Sequence, residues 1–369
     1  MSRGIFIGVV GLGYWGPNLA RNLAQLTGCR LKGLCDLDPK RLASISGLHP
    51  EVPLFEDLDE MLEGSELDAV VVATPVGQHY SLAKKALEAG KHVLVEKPLA
   101  TSTAECTELI ELAASRNLTL MVGHTFLYSA PVQMIAEFIR SGELGDIHYI
   151  NSRRLNLGLF QRDINVTWDL APHDLSIILH LLGQVPDQVN CQGQAHLSKG
   201  VEDVSNLSLV FPGGQFATIQ NSWIEPRKVR EMSIVGSKKM IVYNDIEPME
   251  KLRIYDSCVE SPPHYDSFGE FQYAYHYGDS YLPRIEQREP LRAVCEHFLQ
   301  SIRTGAPPLS CGIKGREIVR ILEACDRSLA AGGSAMSLDD LPSDSLNSPE
   351  VSRNGHERRP PPVPTSYLR

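Results

Sequence analysis

An acid and a base stand four residues apart in the segment Trp168-Asp169-Leu170-Ala171-Pro172-His173-Asp174. At the start of a helix, this spacing places the Asp169 carboxylate and the His173 imidazole on one face. Histidine titrates near neutral pH and is a natural general base for an alcohol oxidation, and a nearby carboxylate can orient its ring or bind a second hydroxyl. We therefore interpret Asp169 and His173 as catalytic residues. The alternatives are a metal pair, which lacks a recognisable third ligand, and a capping Asp169 beside a packed His173.

A lysine follows an apolar run in Glu96-Lys97-Pro98. If this run is a strand of a parallel sheet, the lysine lies at the carboxyl edge, where such sheets bind ligands. Lys97 can then donate a hydrogen bond to a substrate hydroxyl and stabilise the alkoxide that precedes hydride loss, while Glu96 influences its charge state. Because lysine side chains are usually exposed, a surface role is the alternative.

A glycine-rich loop, Gly11-Leu12-Gly13-Tyr14-Trp15-Gly16, separates the first apolar run from a helical pattern that starts at Pro17. In that position the backbone can approach a pyrophosphate at a helix N-terminus. Asp36 follows 20 residues beyond Gly16, where a carboxylate can accept hydrogen bonds from the adenosine ribose. Such an acid repels the extra phosphate of NADP, so NAD is favoured, although Arg41 softens this preference. The alternative is a turn that only packs the helix on the strand.

A third candidate segment is Ala73-Thr74-Pro75, which ends another apolar run and is followed by His79. Open parallel sheets present their ligand crevice at such strand ends, so Thr74 and His79 are predicted to line the cofactor. In the alternative, Pro75 only turns the chain and His79 caps the next helix.

The elements that must position these residues fall into two groups. Up to residue 122, β-branched apolar runs alternate with helical patterns, which indicates a doubly wound parallel sheet covered on both faces. The predicted strands are Ile5 to Val10, Leu31 to Cys35, Ala69 to Ala73, His92 to Val95 and Leu118 to Val122.

Beyond about residue 125 the pattern becomes that of an α+β domain. Two hairpins of an antiparallel sheet are predicted around Pro212-Gly213-Gly214 and Gly236-Ser237, and two late amphipathic helices are expected to close this domain. The last 30 residues hold six of the 24 prolines and six apolar residues, which predicts a tail. The expected organisation is therefore a Rossmann domain (1–125), an α+β domain (126–339) and a Pro-rich tail (340–369).

The composition excludes several classes of protein. Apolar residues make up 43% of the chain and charged residues 22%, with no apolar run long enough to span a membrane. A net charge of -10 argues against binding nucleic acid over the whole surface. The eight scattered cysteines do not form a zinc or disulfide pattern, and the N-terminal apolar run is too short for a signal peptide. We expect a cytoplasmic protein without a bound metal.

In this order, the glycine loop, Asp36, Thr74-Pro75 with His79, Glu96-Lys97-Pro98 and the Asp169–His173 pair resemble the Gfo/Idh/MocA family of NAD(P)-dependent oxidoreductases, over about residues 4 to 335. Within the family the chain is most similar to nucleotide-sugar and amino-sugar dehydrogenases. The resemblance implies a Rossmann domain, a second domain with an open, mainly antiparallel sheet that pairs subunits into dimers or tetramers, and a cis Lys97-Pro98 bond. It also implies catalytic roles for Lys97 and His173, with Asp169 orienting the substrate or the ring.

The resemblance also extends the predicted sites. The cofactor-binding residues become Gly11, Gly13, Tyr14, Trp15, Gly16, Asp36, Arg41, Thr74, Pro75, His79, Glu96, Lys97 and His124. The predicted substrate contacts are Arg154, Asn156, Gln161, Asn165, Trp168 and, from an aromatic segment at Phe271 to Tyr281 that we interpret as a loop, Tyr277. The implied activity is NAD-dependent oxidation of a pyranose hydroxyl, most simply carbon 3 of a nucleotide-linked amino sugar such as UDP-N-acetylglucosamine or its uronic acid. The alternatives are a keto-sugar reductase, a non-catalytic NAD-sensing regulator and a redox-neutral hydrolase with bound NAD.

Overall fold

The computed structural model describes residues 4–158, 160–161, 164–260, 274–286 and 288–338. The predicted tail at 340–369 and the first part of the aromatic segment lie outside the described residues. Within these ranges, no helix is both long and apolar enough to cross a membrane. All eight cysteines are described and free, and seven of them are buried.

The first sheet contains six parallel strands in the order β3-β2-β1-β4-β5-β6. Its strands are β1 (Ile5–Val10), β2 (Cys29–Cys35), β3 (Leu54–Phe55), β4 (Ala69–Val72), β5 (His92–Val95) and β6 (Leu120–Val122). The helices between them are α1 (Gly16–Gln25), α2 (Pro39–Ser46), α3 (Leu58–Gly64), α4 (His79–Glu88) and α5 (Thr103–Ser115). This strand order confirms the predicted Rossmann architecture. The two-residue β3 was not predicted, because it is too short to form an apolar run.

The second sheet has nine strands in the order β14-β13-β12-β11-β7-β10-β9-β8-β15. They are β7 (Ile147–Leu157), β8 (Gln188–Gln194), β9 (Val204–Val210), β10 (Phe216–Ser222), β11 (Ile224–Gly236), β12 (Met240–Asn244), β13 (Leu252–Glu260), β14 (Ala274–Tyr281) and β15 (Met336–Ser337). Strands β7 and β10 pair in parallel, and the other described pairs are antiparallel. The predicted hairpins are β9–β10 and β11–β12, which confirms the mainly antiparallel sheet. The prediction of a loop up to Tyr281 is wrong, because Ala274–Tyr281 forms a strand.

The remaining helices are α6 (Ala130–Arg140), α7 (Val166–Leu182), α8 (Pro290–Thr304) and α9 (Gly312–Ala330). The expectation that both late helices close the second domain is wrong for α8. Its buried side chains, including Val294 and Phe298, belong to the apolar cluster formed by β1 and α1. An amphipathic stripe shows that a helix face is buried but does not identify the sheet that covers it. Helix α9 lies between α5 and β8 and so contacts both parts of the chain.

Helix α7 carries the predicted acid and base. It packs on β7 and β10, and it begins earlier than expected because the Asn165 side chain caps it by accepting a hydrogen bond from the Trp168 N–H at 3.1 Å. Pro172 is therefore inside the helix rather than in its first turn. The helix ends at Gly183, whose φ of 65° is the left-handed conformation that glycine adopts readily.

Candidate active site

A contact between Lys97 and Asp169 joins the end of β5 in the first sheet to helix α7, which packs on the second sheet. Lys97 Nζ donates to the backbone carbonyl of Asp169 at 2.8 Å and to its Oδ1 at 3.4 Å. The other carboxylate oxygen of Asp169 accepts a hydrogen bond from Trp223 Nε1 at 3.0 Å. Lys97 and Asp169 have side chains that are 14% and 22% exposed, so Lys97 is not a surface lysine. The sequence offered no sign of the role of Trp223, which follows β10.

His173 lies on the same helix as Asp169. Its Nδ1 is buried and has no hydrogen-bond partner among the described residues, and its ring packs edge-on against Phe126 with the centroids 5.0 Å apart. Burial, with the cations of Lys97 and Arg154 as further causes, lowers the pKa of His173 well below its ordinary value. The imidazole is therefore neutral at pH 7, the form that a general base needs, and its pKa lies below the near-neutral value expected from the sequence.

Further buried polar atoms that have no partner in the described part of the chain lie near these residues. They are Thr74 Oγ1 and both ring nitrogens of His124, which follows β6. Burial, and secondarily the charge of Lys97, lowers the pKa of His124 to about 3, so its ring is neutral. A buried polar group without a hydrogen bond lowers the stability of the folded state. Several such groups at the carboxyl edge of one sheet therefore indicate a polar ligand.

The glycine loop has the shape that a dinucleotide needs. Gly11 has a φ of 89°, and a Cβ there would lie 2.6 Å from the Ala73 carbonyl oxygen. A Cβ on Gly16 would lie 1.9 Å from the Gly11 carbonyl oxygen, so both positions require glycine for close packing. A Cβ on Gly13 would meet only Arg41 Nη1, at 3.8 Å, which leaves this side of the loop open to a pyrophosphate. Tyr14 and Trp15 are exposed beside it.

Asp36 holds the glycine loop in place. Its Oδ2 accepts a hydrogen bond from the Leu12 N–H at 2.6 Å, and its Oδ1 accepts one from the Asp38 N–H at 2.8 Å. Arg41 Nη1 lies 3.4 Å from Asp36 Oδ2. Because each carboxylate oxygen accepts more than one hydrogen bond, Asp36 retains capacity for ribose hydroxyls. The loop, this carboxylate and the unpartnered atoms of Thr74 and His124 fit NAD.

Two residues that were predicted to bind the cofactor form hydrogen bonds within the protein instead. His79 is buried, with Nδ1 2.8 Å from the Pro98 carbonyl oxygen and Nε2 2.8 Å from the Thr74 carbonyl oxygen, so its ring is not available to a cofactor. Glu96 accepts a hydrogen bond from the Lys97 N–H at 3.3 Å, and burial raises the pKa of Glu96 to about 7.

Pro75 is exposed at the start of the turn before α4. The Lys97-Pro98 bond is cis, as predicted.

Arg154 was predicted to contact the substrate, but in the structure it forms a buried ion pair. Its Nε and Nη2 donate to the two carboxylate oxygens of Asp174 at 2.7 and 3.1 Å, and the guanidinium carbon lies 4.7 Å from the centroid of Phe126. Both partners of this ion pair are 5% exposed. Arg154 therefore anchors β7 to α7 beside His173 instead of facing a ligand.

Asn165 and Trp168 are also engaged away from the lysine. Asn165 Nδ2 donates to Asp326 at 3.2 Å and to Glu202 at 3.3 Å, and Trp168 Nε1 donates to Asp326 at 2.7 Å. These residues line a separate cavity of about 550 Å³ that also includes Val76. Their interpretation as sugar contacts is replaced by a role in holding the start of α7.

The other predicted substrate residues are dispersed. Asn156 is half-buried two positions after Arg154 on β7, so alternation directs it to the same sheet face, toward α7. Gln161 is exposed. Tyr277 is 81% exposed on the edge strand β14 and stacks on Tyr275 at 6.2 Å. Four strand spacings of ~4.8 Å separate β14 from β7, so the structure does not bring Tyr277 to this site.

A second cavity is lined by Arg230, a residue that no sequence pattern indicated. This cavity of about 420 Å³ is lined by Trp15, Phe126 and Arg230, among others. Arg230 follows a stretch of β11 whose register with β7 shifts between Ile224 and Val229, so no simple alternation marks it. Within the described ranges, no three side chains of the metal-binding types are grouped, so a metal role for Asp169 and His173 has no third ligand there.

Two sequence profiles match the chain. One describes an oxidoreductase family with an NAD-binding Rossmann fold and covers residues 5–124, and the other is the GFO/IDH/MocA C-terminal domain and covers residues 132–242. Together they span more than half of the 369 residues.

Individual relatives agree with these profiles. The chain is 28% identical over 323 residues to UDP-N-acetylglucosamine 3-dehydrogenase from Acidithiobacillus ferrooxidans, covering 85% of this chain and 93% of the relative. A solved structure of that enzyme matches with a TM-score of 0.75 at 26% identity, over 89% of this chain and 99% of that chain. Myo-inositol 2-dehydrogenase from Thermotoga maritima is 24% identical over 346 residues, 88% of this chain and 96% of the relative. With both domains matched in order, the chain belongs to the Gfo/Idh/MocA family of oxidoreductases.

Proposed function

We propose that this oxidoreductase is an NAD-dependent dehydrogenase that oxidises a secondary hydroxyl of a pyranose. The observation that carries the proposal is the meeting of Lys97, from the first sheet, with Asp169 on the helix that also carries His173. An ammonium that donates and an imidazole that accepts, at the ligand edge of a Rossmann sheet, are the groups that a hydroxyl needs on its way to a ketone.

In this mechanism the neutral His173 accepts the hydroxyl proton. Lys97 donates a hydrogen bond to the oxygen, which stabilises the developing alkoxide as the C–H bond breaks and the carbonyl forms. NAD, when bound, supplies the acceptor for the hydride. Asp169 positions the Lys97 ammonium, and Trp223 in turn fixes the Asp169 carboxylate through its indole N–H. Reduction of a keto-sugar uses the same groups in reverse.

The relatives guide the choice of substrate. One acts on UDP-N-acetylglucosamine at carbon 3 and another on the ring alcohol myo-inositol, by their names. We favour carbon 3 of a nucleotide-linked amino sugar, such as UDP-N-acetylglucosamine or its uronic acid. The buried Asp36 favours NAD over NADP, because the extra phosphate would meet its negative charge while Arg41 is already shared with Asp36 and Asp38.

A panel of free and nucleotide-linked sugars, assayed by nicotinamide absorbance, tests this function. We expect turnover of at least one sugar, and we expect His173→Asn to lose catalysis while still binding NAD. His180→Asn is the matched control, because His180 lies on the same helix about two turns further along. Normal turnover by His173→Asn would contradict the assignment of His173 as the general base. No turnover of any sugar would contradict the proposed dehydrogenase activity. NAD-dependent capture of a protein partner without sugar turnover would instead favour an NAD-sensing regulator.

The outer face of the second sheet supports a homodimer or homotetramer. Val210, Phe216 and Tyr149 lie side by side on three adjacent strands and are 40%, 40% and 44% exposed. A row of exposed apolar side chains on a sheet face is typical of a surface that another subunit covers. Light scattering should give a mass that is a multiple of one chain, and Phe216→Glu should reduce that mass. A wild-type monomer at micromolar concentration would contradict the assembly.

A further inference from the structure

We propose that Arg230 binds an anionic group of the sugar substrate, so that the site selects sugars that carry a carboxylate or a phosphate. The proposal rests on the proposed dehydrogenase function and adds the chemical class of its substrate. It concerns an oxyanion, which both of these groups present.

Arg230 lies in the right place to contact a substrate. It lines the 420 Å³ cavity with Trp15 of the glycine loop and Phe126, whose ring packs against His173. Burial is the main cause that lowers the pKa of His173, and the charge of Arg230 is a minor one. A ligand in this cavity therefore lies beside the glycine loop and against Phe126, the residue that packs on the candidate base.

Comparison with Arg154 shows which arginine can hold a ligand. The two are register partners on β7 and β11, so their side chains leave the same face of the sheet. Arg154 is 5% exposed and donates to both oxygens of Asp174. The Arg230 side chain is 37% exposed, and its hydrogen bond in the structure is a long one of 3.4 Å to Asp245 Oδ2. A guanidinium has five N–H groups, so Arg230 keeps donors for a bidentate contact with an oxyanion.

Both carboxylates of the cavity are bound by groups other than Arg230. Asp245 is shared, because Tyr243 donates to it at 3.0 Å and Lys251 Nζ lies 3.7 Å away. Glu289, the other carboxylate of the cavity, is bound by Arg21 and Asn22. Within the cavity lining, Arg230 is the cation that faces these two carboxylates. Because other groups share both carboxylates, Arg230 is not fully neutralised and can attract an anionic group of a substrate.

The diphosphate of the cofactor is the other oxyanion that can reach this region. It is already provided for by the open side of Gly13 and the N-terminus of α1. We therefore assign Arg230 to the substrate, and the affinity for NAD measured alone separates the two sources.

The experiment measures binding rather than turnover. The dissociation constants of D-glucuronate, D-glucose 6-phosphate and D-glucose are determined calorimetrically in the presence of saturating NAD, for the wild type, Arg230→Met and Arg230→Lys. Arg253→Met is the matched control, since Arg253 is an exposed arginine of the same sheet that pairs with Glu250 at 2.8 Å. Unfolding temperatures show whether each variant is folded, and Arg230→Lys keeps the charge beside Asp245 if Arg230→Met unfolds.

We expect the wild type to bind at least one of the anionic sugars about tenfold or more tightly than glucose. Arg230→Met should remove that preference, Arg230→Lys should weaken it by about threefold to tenfold because an ammonium lacks the bidentate fork, and Arg253→Met should leave it unchanged. Equal wild-type affinities, or a preference that survives in Arg230→Met, would overturn the proposal. A parallel loss of affinity for NAD alone would assign Arg230 to the cofactor instead. Because binding does not need turnover, the proposal is tested even if no sugar is oxidised.

Discussion

His79 contacts two carbonyl groups, one from each of two loops that border the candidate site. A carbonyl oxygen only accepts hydrogen bonds, and a neutral imidazole has one N–H, so the neutral ring donates to one of the two carbonyls and a protonated ring donates to both. Burial is the main cause that lowers the pKa of His79, while the Pro98 and Thr74 carbonyls raise it. The ring thus fixes the distance between the loop that carries Thr74 and the loop that carries Lys97, and it is a positioning residue.

Replacing His79 tests this role. In His79→Asn the shorter side chain cannot span both carbonyls, and one or both lose a buried partner, a cost of about 1–3 kcal/mol. We expect the KM for NAD to rise about tenfold and kcat to change much less, in steady-state assays at fixed sugar. His79→Gln should recover part of the affinity. A fall in kcat with an unchanged KM would show that His79 acts on the chemistry instead.

Trp223 is a second positioning residue, and it acts through Asp169. Trp223→Phe keeps an aromatic ring against Phe160 but removes the N–H that holds Asp169 Oδ2. A hydrogen bond to a charged group contributes about 1.5–3 kcal/mol, so we expect kcat to fall at least tenfold with little change in NAD affinity. Unchanged turnover would mean that Lys97 alone keeps Asp169 in place.

At the scale of elements, the start of α7 explains two residues that resemble substrate contacts in sequence. Asn165 caps the helix and, with Trp168, binds Asp326 on α9. Asn165→Ala should therefore reduce stability by about 1–2 kcal/mol, measured by urea unfolding. The KM for sugar should stay within twofold of the wild type. A large rise in this KM without loss of stability would restore Asn165 as a substrate contact.

The elements themselves were largely predictable, because continuous apolar runs and turn residues are local signals. The order of Lys97, Asp169 and His173 along the chain was also readable. The ion-pair partners of the arginines could not be predicted from the sequence. Arg154 pairs with Asp174 because β7 packs against α7, and this packing leaves no local signal. Arg230 was missed for the same reason, because its position opposite Arg154 is set by a register shift between strands. Packing between distant segments thus decides which arginine is buried in an ion pair and which lines a cavity.

At the scale of the whole molecule, Glu96 couples stability to pH. Burial raises the pKa of Glu96 from 4.5 to about 7, so the folded state holds this proton more tightly than the unfolded chain does. The resulting stabilisation is complete below pH 4.5 and is lost as the pH rises toward 7, by up to about 3 kcal/mol. Glu96→Gln should unfold with a weaker pH dependence across this range, in urea titrations without NAD. An identical pH dependence in both proteins would contradict the raised pKa.

The packing of α8 against α1 also has a consequence for synthesis on the ribosome. The first sheet is complete in sequence by Val122, but part of its apolar cover, including Val294 and Phe298, is translated much later. At ~5–20 residues per second, the nascent first domain waits on the order of 10 to 40 s for that cover. A nascent chain stalled near residue 125 should therefore expose the uncovered side of α1 and bind chaperones that recognise apolar surface. Release from chaperone should coincide with the emergence of α8.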